Sequence, residues 1–170
     1  MLEFILGLKG IVALLFVVVA CFFYMWGGRD PLQPWMGKWI RRFIGSLILA
    51  SGANLMALWI DYWTWQMLLV YPALCIGFSM GYGGDTFLEK LLRRTAYAFG
   101  VLGGGLVMVW ATGWAGGAVT LLIVQSICAV GSIIMGLKNP LPAAIEEVVV
   151  CFLLTVFIPF YPFVMMGGVA

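Results

Sequence analysis

The placement of charge constrains this chain more than any other feature. Lys, Arg, Asp and Glu are absent from residues 10–28, 43–60, 62–84, 95–137 and 148–170. A helix needs roughly 20 residues to cross a hydrocarbon core of about 30 Å, so each run is of spanning length. The run 95–137 holds 43 residues and is broken near its middle by Thr112-Gly113-Trp114-Ala115-Gly116-Gly117, which predicts a hairpin of two spans. Six spans follow, expected at 10–28, 43–60, 67–83, 95–112, 117–137 and 141–158.

These runs are apolar on every face and lack the alternation of barrel strands. In lipid, where backbone groups must be satisfied internally, that leaves helices. With 64% hydrophobic residues, 9% charged residues and a mean hydropathy of +1.10, the chain has too little polar surface to coat a water-soluble globule. The predicted fold class is an all-α integral membrane protein, one polytopic domain over residues 1–170 built as a compact bundle of six transmembrane helices. The lipid bilayer is its first partner, and in a bacterium its place is the inner membrane. The start, Met1-Leu2-Glu3-Phe4, has no basic n-region and no small-residue cleavage site follows the first run, so helix 1 is expected to be a retained span.

Basic residues set the orientation. Arg29, Lys38, Arg41 and Arg42 precede helix 2, Lys90, Arg93 and Arg94 follow helix 3, and Lys138 follows helix 5. The connections at residues 61–66 and 112–117 carry no Lys or Arg. With six spans all three clusters share one face, which the positive-inside rule makes cytoplasmic, leaving both termini extracytoplasmic. Lys9, at the outer end of helix 1, reaches the headgroups by snorkelling. Around Trp35, Trp39 and Phe43 the sequence fits two arrangements: an interfacial helix over 35–42 with its rings in the acyl boundary, or an early start to helix 2.

This orientation decides the meaning of Gly77-Phe78-Ser79-Met80-Gly81-Tyr82-Gly83-Gly84-Asp85. The Gly81-Tyr82-Gly83 triplet resembles the core of a potassium-channel selectivity filter, but it falls at the cytoplasmic end of helix 3, whereas such filters face outward. Here an extra Gly84 and the cations Lys90, Arg93 and Arg94 also follow it. Gly77, Ser79 and Gly81 likewise spell G-x-S-x-G, yet the chain has no histidine to serve as the base a serine nucleophile needs. The segment reads instead as a glycine turn, with Asp85 or Thr86 capping helix 4 and Glu89 at capping-box distance from Thr86.

Without histidine, the commonest proton shuttle and transition-metal ligand is missing. The four cysteines, Cys21, Cys75, Cys128 and Cys151, lie inside spans with no C-x-x-C spacing. No enzyme activity and no cofactor are expected, and a net charge of +2 gives no footprint for nucleic acid.

Small residues mark the expected helix contacts: Ser46, Ala50, Asn54 and Ala57 on helix 2, Ala96, Gly100 and Gly104 on helix 4, and Gln125, Ala129, Ser132 and Gly136 on helix 5. Val107 and Leu121 fall on the lipid side of that pattern. Tyr-Pro recurs at Tyr71-Pro72 and Tyr161-Pro162, but a 90-residue offset sets helix 2 against the turn between helices 5 and 6, which argues against an inverted repeat.

The candidate site residues are the charges nearest the spans. Glu146 and Glu147 at the start of helix 6 benefit from its N-terminal dipole, and Arg93 and Arg94, with Glu89 one turn before them, enter helix 4 from the same side. They form either an ion-pair network between helices 4 and 6 or the charged vestibule of a conduction path. Asn54 and Gln125, the only amides inside spans, are candidate intramembrane polar contacts. The function expected from these features is a homo-oligomeric channel or small-solute or ion transporter. The alternative is a non-catalytic assembly, scaffold or accessory subunit working with partner membrane subunits, and a phage-type membrane-permeabilising protein comes third.

Overall fold

A computed structural model describes residues 7–26, 37–81, 85–138 and 143–166. Among them there is no strand, and six helices of 11 residues or more follow one another. We label them α1 (Leu8–Trp26), α2 (Lys38–Trp59), α3 (Val70–Met80), α4 (Phe87–Ala111), α5 (Gly116–Lys138) and α6 (Ala143–Thr155), with a short α7 (Tyr161–Met166) at the end. Three segments are long and apolar enough to cross a membrane: Trp39–Trp59, Gly116–Lys138 and Ile145–Val164. Leu8–Tyr24 and Trp65–Met80 are shorter apolar helices. At 25 residues α4 has the length, but Glu89, Lys90, Arg93 and Arg94 occupy its first turns.

The outer surface agrees with a membrane protein. Phe99, Ile127, Ile76 and Ile11 are all more than half exposed, on four different helices. A water-soluble monomer rarely exposes apolar surface so widely. The buried interior is partly polar and mixes large side chains such as Tyr24, Tyr97 and Phe78 with many small ones. On α2, Ser46, Ala50, Asn54 and Ala57 are buried, and the buried face of α5 is Ala118, Gln125, Ala129, Ser132 and Gly136. At the crossing of α3 with α4, a methyl group added to Gly100 would run into the Gly77 backbone, and one on Gly77 would lie 2.9 Å from the Gly100 carbonyl carbon. Only glycine at both positions allows this approach. Val107 and Leu121 differ from the sequence expectation, because both are half-buried against the core. The small-residue stripes are narrower than the faces they belong to, and large side chains pack along their margins.

Both Tyr-Pro pairs enter helices in the same way. A 3-10 turn at Trp65–Leu69 runs into α3 with Pro72 in its first turn, and a 3-10 turn at Ile158–Phe160 runs into α7 with Pro162 second. Proline is tolerated there because the first turn's N–H groups have no intrahelical acceptor. Pro159 also ends the regular α6, so the last apolar segment is α6, a 3-10 turn and α7 in series. This broken segment packs against α1, α2, α4 and α5.

Several local expectations lie on the described residues. Residues 38–42 belong to α2 as one continuous helix; positions 35 and 36 of the interfacial candidate lie outside the described residues, as do 82–84 of the glycine turn. Gly81 ends α3 at φ 66°, a conformation that favours glycine. Thr86 caps α4, its hydroxyl accepting from the Glu89 amide at 3.2 Å, while the Glu89 carboxylate accepts from the Asp85 amide at 3.3 Å, one residue earlier than a capping box would have it. The hairpin between α4 and α5 turns through Gly113 and Trp114, both at positive φ.

Candidate functional site: a charged collar at one end of the bundle

The end of α1, the start of α2, the end of α3, the start of α4, the end of α5 and the start of α6 each contribute a residue to one connected group. At its centre Arg94 Nη1 lies 3.0 Å from Glu146 Oε1, with both side chains 5% exposed or less. Arg94 is the eighth residue of α4, about 10 Å from its start along the axis. Glu146 sits in the first turn of α6, where unpaired N–H groups and the helix dipole stabilise a carboxylate. Gly136 of α5 makes room for the pair. A methyl group there would overlap the Arg94 guanidinium and the Glu146 carboxylate.

Beside this pair, Arg42 at the start of α2 approaches Glu147 Oε1 at 3.5 Å and stacks over the Tyr24 ring with 4.9 Å from guanidinium carbon to centroid. Gly81 presents bare backbone to the same guanidinium, since any side chain there would collide with it. Tyr24 in turn packs against Phe78 and Tyr97, with centroids 5.2 and 5.3 Å away, so the cation rests on a buried aromatic cluster. Arg41, on the other side of the α2 start, is also buried.

The expected charges are therefore distributed over three pairs. Arg94 meets Glu146 across helices, Glu147 meets Arg42 from α2, and Arg93 pairs with Glu89 one turn back on its own helix at 2.7 Å on the exposed surface. Arg42, Tyr24, Gly81 and Gly136 were not among the sequence candidates. Arg42 carries a sequence signal in its membership of the basic cluster before helix 2, but that cluster points to orientation and headgroups and not to Glu147.

The two amides sit elsewhere and do not bond to each other. Asn54 Nδ2 donates to the carbonyls of Ala50 (3.0 Å) and Met67 (3.3 Å), and its Oδ1 accepts from Trp63 Nε1 (2.8 Å), which fastens the α2–α3 connection to α2. Gln125 Nε2 donates to the Leu154 carbonyl at 2.9 Å, one of the last four of α6 left without an intrahelical donor. Its Oε1 accepts from the Tyr161 hydroxyl at 2.6 Å. Gln125 thereby bridges α5 to both sides of the break at Pro159. Ser79, the serine of G-x-S-x-G, donates to the Ile76 carbonyl at 2.7 Å within α3. Among the described residues no three of His, Cys, Asp and Glu gather into a group that could hold a metal ion.

No protein-family model, curated protein or solved structure matches this chain.

Proposed function

We propose that the protein is a six-span membrane protein with the charged collar on the cytoplasmic side and both termini outside, and that it acts as a non-catalytic assembly or accessory subunit. The observation that carries this reading is the direction in which its polar groups point. Arg94, Glu146, Asn54 and Gln125 are buried and bonded to groups of the same chain, while the outward faces of the helices are apolar. A conduction path needs polar or charged groups facing water. Here they serve as interhelical contacts, the usual use of polar groups between helices in lipid. α5 supplies a surface for assembly: only 22% of its apolar window is buried, against 50% for the other two long segments. Leu122, Ile123, Ser126, Ile127, Val130 and Ile134 line an apolar groove on its outward side.

A homo-oligomeric channel or transporter is the second reading, favoured by the partly exposed Glu147, Glu89 and Arg93 at the collar's rim, which would ring a mouth in a symmetric oligomer. Flux separates the two. Purified protein reconstituted in liposomes is expected to pass neither K⁺, Na⁺ nor Cl⁻ above the rate of protein-free vesicles, in either orientation and at several voltages. Selective flux that scales with protein content overturns the assembly reading in favour of the channel.

A further inference from the structure

A second buried polar group lies deeper in the bundle than the collar. Cys21 of α1 and Cys151 of α6 are both buried free thiols, 130 residues apart in sequence, with Sγ atoms 3.5 Å from each other. Thr155, one turn after Cys151, lies beside the pair, as does Tyr97, which hydrogen-bonds to Cys151. Thr155 Oγ1 lies 3.4 Å from Cys21 Sγ and donates to the Cys151 carbonyl at 2.7 Å. With the threonine proton committed to that carbonyl, Cys21 S–H donates to Thr155 Oγ1, and Cys151 S–H donates to Cys21 Sγ. The two sulfurs are thus held side by side with their protons directed in sequence. The other two cysteines are only partly buried: Cys75 bonds to Ser46 Oγ at 3.1 Å, and Cys128 lies on α5.

We propose that Cys21 and Cys151 form a redox-modification site, oxidised to a disulfide by a lipid-soluble quinone. The reaction balances as a two-electron exchange. Both S–H bonds break, one S–S bond forms, and the two electrons and two protons reduce the quinone to its hydroquinone. The oxidant's class follows from the location. Both thiols are closed inside the bundle, so oxidation requires a local opening of it. On the six-span reading proposed above, that opening faces the hydrocarbon phase, where a quinone is both soluble and a two-electron acceptor. Closure would tie α1 to α6, the first of the six helices to the last, and restrict the unfolded chain over a long loop.

The test uses full-length protein in phosphatidylcholine nanodiscs treated with duroquinone, whose ring carbons are all substituted, then denatured and alkylated with N-ethylmaleimide. Two alkylated thiols instead of four, a linked Cys21–Cys151 peptide, and a rise in melting midpoint that dithiothreitol reverses and Cys151→Ser lacks are the expected results. Four alkylated thiols with duroquinone and with copper phenanthroline alike, or links through Cys75 or Cys128, overturn the site. Copper phenanthroline serves as a second oxidant: linkage by it and not by duroquinone overturns the assignment of the quinone.

Discussion

At the residue scale, the buried Asn54, Gln125, Arg94 and Glu146 each find a partner outside their own helix, and those partners were the part the sequence concealed. Asn54 and Gln125 stand out by type, because an amide in an apolar span is costly without a partner. Nothing in the sequence pairs Asn54 with Trp63 or Gln125 with Tyr161, since both partners lie in segments whose path depends on the 3-10 turns. Arg94 and Glu146 were legible as facing charges because both enter from the basic end. Their seat against Gly136 was not, since Gly136 read as one member of a small-residue stripe. Replacing Gly136 with Ala is expected to lower the melting midpoint, with a cost of about 1–3 kcal/mol from overpacking, whereas Gly131→Ala, where added atoms meet open space, leaves it unchanged. Gln125→Leu keeps the volume close but leaves the Leu154 carbonyl and Tyr161 hydroxyl without their partner. It is expected to cost about 1–3 kcal/mol in a chemical or thermal melt in detergent, and an unchanged melt would count against the bridge.

At the element scale, the helices themselves were legible because charge and glycine punctuate them. The break inside residues 95–137 falls where the Thr112–Gly117 hexapeptide placed it, with α4 ending at Ala111 and α5 starting at Gly116. The buried faces of α2 and α5 also followed from small residues at helical spacing. The margins of those faces did not, as Val107 and Leu121 show, because a large apolar residue suits lipid and core equally well. The Gly77–Gly100 crossing gives the sharpest test. Gly100→Leu is expected to abolish folding or assembly, while Phe99→Leu on the exposed neighbouring position leaves both intact, read by monodispersity after extraction. On α5 the assembly reading predicts that a photo-crosslinker at Ile127 captures protein, a second copy or a partner, more often than one at Phe99, which meets lipid. Equal yields from the two positions would remove α5 as the assembly face.

At the scale of the whole molecule, the charged collar draws on all six helices because alternate helices bring opposite ends to one side. That matches the gathering of basic residues on which the orientation rests. Orientation has its own test. In a cysteine-free background, a cysteine at Gly116, where the added side chain meets nothing, is expected to react with an impermeant thiol reagent from outside, and one at the exposed Asp85 is not. The reverse pattern would invert the protein. The central claim is that the collar locks the bundle and does not line a path, and a double-mutant cycle on its buried pair reads this most directly. Removing one partner of a buried ion pair typically costs about 3–5 kcal/mol. Arg94→Met and Glu146→Gln are each expected to lower the melting midpoint in lipid, the double mutant to lose less than the sum with a coupling of about 1–3 kcal/mol, and ion leak to stay at background throughout. Zero coupling with unchanged melting, together with ion selectivity that shifts in Glu146→Gln, would contradict the lock and place Glu146 on a conduction path.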